Sequence, residues 1–140
     1  MKKMKYIGCF LNKDELAERA ALQRAEGLAK QIEHPHVTFF YHPETVPAAQ
    51  FGKAVTLRVV GYGCDGGNEA FSVIFEDLPK GLAELASAIE RPHITLSVSE
   101  TGKAVNSRDL TFRPITPFLL TGVFGGMDFD GTVHTSKCHV

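Results

Sequence analysis

Two short segments with the pattern Pro-His-x-Thr could do chemistry on a phosphate group. They are Pro35–Thr38 and Pro92–Thr95. In a β-strand, residues i and i+2 point to the same face, so each segment would place an imidazole beside a hydroxyl. Histidine can accept or donate a proton near neutral pH, and a threonine hydroxyl can donate a hydrogen bond to a phosphate oxygen. Two such strands facing one groove would provide acid–base catalysis and phosphate binding together.

The two segments belong to a longer internal repeat. Residues 28–39 align without a gap with residues 85–96, an offset of 57, and seven of the twelve positions are identical. Two amphipathic helix ends often share leucine, alanine and isoleucine, whereas a shared Pro-His-x-Thr is far more specific. The repeat therefore predicts a duplicated helix-to-strand unit that places two equivalent His-x-Thr strands in one compact domain.

Four residues are the main candidates for the site. His36 and His93 would divide the roles of general base and general acid, and the sequence leaves open which residue has which role. Thr38 and Thr95 would bind the non-bridging phosphate oxygens. A site of this kind requires no cofactor and no metal ion.

Most of the remaining chain is patterned for short β-strands. Apolar residues alternate with polar ones in several runs, which glycine, proline and asparagine separate. The predicted strands are residues 6–11, 36–41 and 93–98, a hairpin over residues 54–76, and one or two strands around residues 110–113 and 118–127. Both His-x-Thr patterns thus lie on strands, which hold side chains more rigidly than loops do.

Two stretches have helical spacing. The first begins at the cap Asn12, has Glu15 in the capping-box position and extends to about Ile32. The second covers residues 79–90, where leucine, alanine and isoleucine lie at i, i+3, i+4 and i+7. Together with the strands, these helices predict an α+β fold.

Length and charge limit the kind of protein and of partner. The chain has 140 residues and a net charge of −1, which fits a single domain, residues 1–140. A binder of long nucleic acid would carry a basic surface, so a small phosphorylated ligand is favoured. No apolar run is long enough for a membrane span, and three cysteines without a CxxC spacing favour reduced thiols. We expect a cytoplasmic monomer without membrane contact.

Three further residues could contact a substrate. His34 and Arg91 are equivalent in the repeat, and either could reach the phosphate or stay at a solvated helix end. Tyr6 could stack on a nucleobase or belong to the core. His34 and His36 could instead form half of a metal site, although no third ligand stands at a telling spacing.

Other reactive side chains are expected to have structural roles. Cys9 has no histidine partner in the sequence and is predicted to be a small buried residue. His42 precedes a proline in a loop, and His134 and His139 belong to a tail that is predicted to be mobile. None of these residues is predicted to belong to the site.

The segments Pro35–Phe39 and Pro92–Leu96 resemble the paired His-x-Thr/Ser motifs of the two-histidine (2H) phosphoesterase superfamily. This superfamily includes cyclic nucleotide phosphodiesterases, bacterial RNA 2′,5′-ligase-like enzymes and the phosphodiesterase domain of fungal tRNA ligases. Residues 6–11, residues 121–125 and the pair Asp130-Gly131 are similar, more weakly, to the tRNA-ligase branch.

The resemblance implies a bilobal fold, with two antiparallel sheets around a central groove and helices on the outside. It also implies metal-independent opening of a 2′,3′-cyclic phosphate, or of a related nucleotide or RNA-end phosphoester, by His36 and His93. The partner would be a small nucleotide or an RNA terminus. Because both motifs are complete, an active hydrolase is favoured over a non-catalytic nucleotide-binding module. A metal-dependent enzyme using His34 and His36 is the third hypothesis.

Overall fold

The computed structural model describes residues 3–24 and 27–136. This part of the chain is mainly antiparallel β-sheet with few helices, so the predicted α+β class is confirmed. The strands are β1 (Met4–Phe10), β2 (Lys30–Gln31), β3 (His36–Tyr41), β4 (Ala54–Cys64), β5 (Asn68–Asp77), β6 (His93–Val98), β7 (Arg113–Asp128) and β8 (Val133–His134). The α-helices are α1 (Lys13–Ala20) and α2 (Ala83–Ser87), and 3₁₀ helices lie at Ala48–Gln50, Lys80–Leu82 and Ala104–Asp109. No helix among the described residues has the length and apolar character needed to cross a membrane.

Hydrogen bonds join these strands in one continuous sheet, so the two separate sheets that the resemblance implies are not confirmed. The order is β2-β6-β5-β4-β7-β1-β3, and β8 pairs with β7. Strand β7 connects the two ends because it pairs with β4 along residues 113–123 and with β1 along residues 123–128. Strands β3 and β6 are far apart in this order, yet some of their Cα atoms lie within 8 Å of each other. The sheet therefore curls, and the curl brings the two Pro-His-x-Thr segments together.

Strand β3 shows the period of two that its sequence predicts. Val37 and Phe39 are buried in the apolar core, whereas His36 and Thr38 are partly exposed on the opposite face. Gly8 of β1 lies opposite Thr38, and a Cβ at Gly8 would overlap the Val37 carbonyl. The glycine thus lets β1 approach β3 closely, so that Tyr6 and Phe10 of β1 can contact His36 of the first motif.

The first predicted helix is too long. Helix α1 ends at Ala20, and residues 30–31 form β2 instead, which pairs with Ser97 and Val98 of β6. The backbone N–H of Leu28 also donates to the Ser97 hydroxyl at 2.9 Å. These long-range bonds satisfy the backbone in an extended form and outweigh the helical spacing of the apolar residues. The two copies of the repeat therefore differ before the Pro-His-x-Thr segment, because only the second copy contains a helix.

The strand predictions are otherwise close, except that residues 110–112 form no strand and one continuous strand, β7, covers residues 113–128. Strands β3 and β6 have the predicted bounds, and β4 and β5 form the predicted hairpin. The prediction of a mobile tail is wrong for His134, which lies in β8 with its Nε2 2.7 Å from the carboxylate of buried Asp128. This buried acid holds the segment against β7 by a contact that spacing along the chain does not reveal. His139 lies outside the described residues.

Candidate active site

A cleft of about 670 Å³ opens beside the two His-x-Thr strands. Each motif contributes one of its main candidates to the lining: Thr38 from β3 and His93 from β6. The end of α2 and the 3₁₀ helix Ala104–Asp109 form other walls. His36 is outside the lining, but it shares a strand face with Thr38. The cleft is therefore where the two motifs meet.

The two histidines are held in the same way. Nδ1 of His36 lies 2.8 Å from the carbonyl oxygen of His34, and Nδ1 of His93 lies 2.9 Å from that of Arg91. A carbonyl oxygen only accepts, so Nδ1 carries the proton in both rings. In the neutral ring, the lone pair is then on Nε2, which makes no hydrogen bond with any described residue in either case. Both residues thus present a nitrogen that can exchange a proton with a ligand.

Aromatic rings surround His36. The ring of Tyr6 stacks on it with centroids 4.4 Å apart and planes inclined by 22°, and the ring centroid of Phe10 lies 5.5 Å away. The pKa of His36 is lowered to about 4, mainly by burial; the hydrogen bond to the His34 carbonyl opposes the shift, and the charges of His93 and His34 add to it. His36 is therefore neutral at pH 7, and it lies close enough to His93 for the two charges to interact.

His93 has a different environment, since it lines the cleft. Burial lowers its pKa, and the nearby guanidinium groups of Arg91 and Arg108 lower it as well. The hydrogen bond to the Arg91 carbonyl acts in the opposite direction. A bound anion would offset the two positive charges and so favour the imidazolium form.

The two threonines are not equivalent. Thr38 lines the cleft, and its hydroxyl makes no hydrogen bond with any described residue. Thr95 is buried, and its Oγ1 lies 2.9 Å from Oγ of Ser107 and 3.3 Å from the carbonyl oxygen of Ala104. The first hydroxyl is thus free to bind a ligand, whereas the second is part of a buried polar network.

The secondary candidates are all close to the histidines, in different roles. His34 is exposed and contributes its carbonyl oxygen to His36. Arg91 lines the cleft and donates to the carbonyl oxygen of Leu110 at 2.9 Å. The hydroxyl of Tyr6 lies 3.5 Å from Nδ1 of His36, a long contact, so its main interaction with His36 is the ring stack.

The metal hypothesis finds no third ligand within residues 3–24 and 27–136. No three His, Cys, Asp or Glu side chains converge there in an arrangement that could hold a metal ion. The contact between His34 and His36 runs through a backbone oxygen and the ring proton, so it does not pair the two imidazoles. Cys9 is buried as predicted, and burial raises the pKa of its thiol to about 12.

The 3₁₀ helix Ala104–Asp109 was not predicted to belong to the site. It carries Ser107, which contacts Thr95, and Arg108, which lines the cleft beside His93. No motif or spacing links this segment to either Pro-His-x-Thr pattern. It reaches β6 only through tertiary contacts, so the sequence carries no signal that could have found it.

Comparison with known proteins adds no residue to this description. No protein-family model and no curated protein sequence matches the chain. The residues of the site are therefore candidates on their geometry and on the pattern of the two motifs.

Proposed function

We propose that this protein is a metal-independent phosphodiesterase of the two-histidine type, which opens 2′,3′-cyclic phosphates of nucleotides or RNA ends. The observation that carries the proposal is the matched pair of imidazoles. His36 and His93 come from β3 and β6, which approach each other although they are not neighbours in the sheet, and each is fixed through Nδ1 by the carbonyl oxygen two residues earlier. Each therefore keeps Nε2 for a proton that moves during the reaction.

In the proposed reaction, water attacks the phosphorus atom and one ester bond of the cyclic phosphate breaks. His36, which is neutral at pH 7, takes the proton from water. His93, which a bound phosphate helps to protonate, gives its proton to the departing sugar oxygen. The net change adds one water and leaves a phosphomonoester, and each histidine ends in the other's starting state.

The threonine hydroxyls support this scheme to different degrees. Thr38 has a free hydroxyl in the cleft that can donate to a non-bridging phosphate oxygen, where negative charge develops. Thr95 can do the same only if its proton points away from Ser107 and Ala104. We therefore propose Thr38 as the principal phosphate-binding hydroxyl and Thr95 as the second one.

The curled sheet is consistent with a bilobal arrangement. We propose that β1 and β3 form one lobe, that β2, β6 and β5 form the other, and that β4 and β7 join them behind a central groove. The near-neutral charge favours a small nucleotide or an RNA terminus over a long RNA as the substrate. A cytoplasmic monomer fits this proposal.

The test is turnover of 2′,3′-cyclic mononucleotides in the presence of EDTA, with 3′,5′-cyclic nucleotides as a comparison and identification of the product as a 2′- or 3′-phosphate. His36→Ala and His93→Ala should each lower kcat by about 10²–10⁴. His42→Asn is the matched control, because His42 lies outside the cleft lining and asparagine tolerates its positive φ of 51°.

Two results would contradict the proposal. Loss of activity on chelation, with rescue by zinc, would favour the metal-dependent enzyme. Nucleotide binding without turnover of any cyclic phosphate would favour the non-catalytic binding module. In either case, comparing His36→Ala with His93→Ala would still show whether both histidines act on the same bound ligand.

A further inference from the structure

Arg108 occupies an unusual position in the cleft. It lies on the 3₁₀ helix Ala104–Asp109, on the same side of the cleft as His93, and its side chain is exposed to solvent. Its guanidinium is close enough to His93 to act on the imidazole electrostatically. It belongs to neither Pro-His-x-Thr segment and has no role in the reaction proposed above.

Arg108 differs from the other arginines in contacting no partner among the described residues. The other five each contact a carboxylate, a carbonyl oxygen or an aromatic ring: Arg24 with Glu69, Arg58 with Glu76, Arg91 with Leu110 and Phe112, Arg19 with Phe118, and Arg113 with Tyr62. Within residues 3–24 and 27–136, the guanidinium of Arg108 makes no hydrogen bond, ion pair or ring contact. Two acidic residues, Glu90 and Asp109, also line the cleft, but neither pairs with it.

The backbone that carries Arg108 is nevertheless well held. Its neighbour Ser107 is fully buried, contacts Thr95 and accepts a hydrogen bond from Nδ2 of Asn68 at 3.0 Å. Nδ2 of Asn68 also donates to the carbonyl oxygen of Lys103 at 2.7 Å. These buried bonds fix the segment to β5 and β6, so the starting point of the arginine side chain is set before any ligand binds.

We propose that Arg108 is a substrate-binding residue that recognises the charge of the phosphate on the His93 side of the cleft. The inference rests on the proposed function and adds to it a source of charge selectivity. A guanidinium can donate two parallel hydrogen bonds to phosphate oxygens, which suits it to an anion more than to an uncharged nucleoside. Because the guanidinium has no partner among residues 3–24 and 27–136, binding of an anion breaks no ion pair with them.

The test compares charged and uncharged ligands. In Arg108→Met, the dissociation constants of adenosine 2′-monophosphate and adenosine 3′-monophosphate should rise by about 10- to 100-fold, as for the loss of a hydrogen bond to a charged group. The affinity for adenosine itself should not change. Arg108→Lys should recover part of the affinity, and Arg58→Met, which removes an arginine outside the cleft lining, should match the wild type.

An NMR titration of His93 gives a second readout that does not depend on turnover. Without ligand, the pKa of His93 should be higher in Arg108→Met than in the wild type, since one of the two lowering charges is removed. Unchanged nucleotide affinity in Arg108→Met would overturn the inference even if the wild type turns over cyclic phosphates. Conversely, a wild type that binds the monophosphates through Arg108 but turns nothing over would overturn the proposed function and leave the binding role in place.

Discussion

The imidazole of His36 lies flat against the phenol ring of Tyr6, with ring centroids 4.4 Å apart and an angle of 22° between the planes. Phe10 approaches the same imidazole from β1. These rings cover part of the imidazole, and the pKa of His36 is lowered to about 4 mainly by burial. We therefore expect the Tyr6 ring to contribute to the burial of the proposed base and so to its protonation state, whether or not it contacts a nucleobase.

Removing the ring of Tyr6 should therefore raise the pKa of His36. In Tyr6→Ala, we expect water to reach the imidazole and its pKa to rise toward the ordinary 6.5, as followed by NMR of the ring protons. Tyr6→Phe keeps the stack and removes only a hydroxyl at a long 3.5 Å from Nδ1, so it should leave the pKa close to that of the wild type. Equal pKa values in Tyr6→Ala and the wild type would show that the stack does not set the protonation state.

Stability should fall in mild acid because of the same residue. The folded protein binds a proton at His36 only near pH 4, whereas the unfolded chain binds it near pH 6.5. Stability from the neutral ring is complete above pH 6.5 and is lost as the pH falls toward 4, by up to about 1.4 kcal/mol per pH unit. Denaturant unfolding at pH 4 to 7 measures the slope, which His36→Gln should reduce.

The two threonines should respond differently to loss of their hydroxyls. Thr38→Val removes a hydroxyl without a described partner, so we expect kcat/KM on cyclic phosphates to fall about 10- to 100-fold and thermal stability to stay near that of the wild type. Thr95→Val disrupts the buried contact to Ser107 and should cost about 1–3 kcal/mol in the free energy of unfolding. Thermal unfolding and steady-state kinetics on the same two variants provide the comparison. Equal stability losses would contradict the asymmetry.

Breaking the buried ion pair of Arg24 with Glu69 should lower the free energy of unfolding more than breaking the exposed pair of Arg58 with Glu76. Glu69 is fully buried; burial raises its pKa, but hydrogen bonds from Arg24, Tyr62 and Ser97 outweigh that effect and keep it below the usual range. Glu69→Ala removes the carboxylate that pairs with Arg24, leaving this guanidinium, among the described residues, only its hydrogen bond to Gln31, and should cost about 3–5 kcal/mol, measured by chemical denaturation.

Two further variants separate charge from packing at Glu69. The double variant Arg24→Leu/Glu69→Leu removes both charges together and should recover much of the lost stability. Glu76→Ala breaks the exposed pair with Arg58 and should stay close to the wild type. A loss in Glu76→Ala as large as that in Glu69→Ala would show that burial is not the cause.

Much of the first motif could be predicted from its own residues. The alternation from His36 to Phe39 predicts which side chains enter the core, and Val37 and Phe39 are buried there in the structure. The hairpin β4–β5 is predicted equally well because a turn-forming run separates two alternating segments. The prediction of a helix up to about Ile32 was wrong because it rested on spacing alone. The residues have helical spacing, but hydrogen bonds to β6 hold part of them in an extended strand.

The sequence by itself determined the identity and local geometry of the candidate catalytic groups, because strand periodicity places a histidine and the threonine two residues later on one face. Only the tertiary structure decided that β3 and β6 approach each other, that Thr38 is free while Thr95 is tied to Ser107, and that Arg108 stands beside His93. Those features depend on the curl of the sheet and on contacts between residues far apart in the chain. Neighbouring residues determine the local strand geometry, but they do not determine which distant part of the chain packs against the strand.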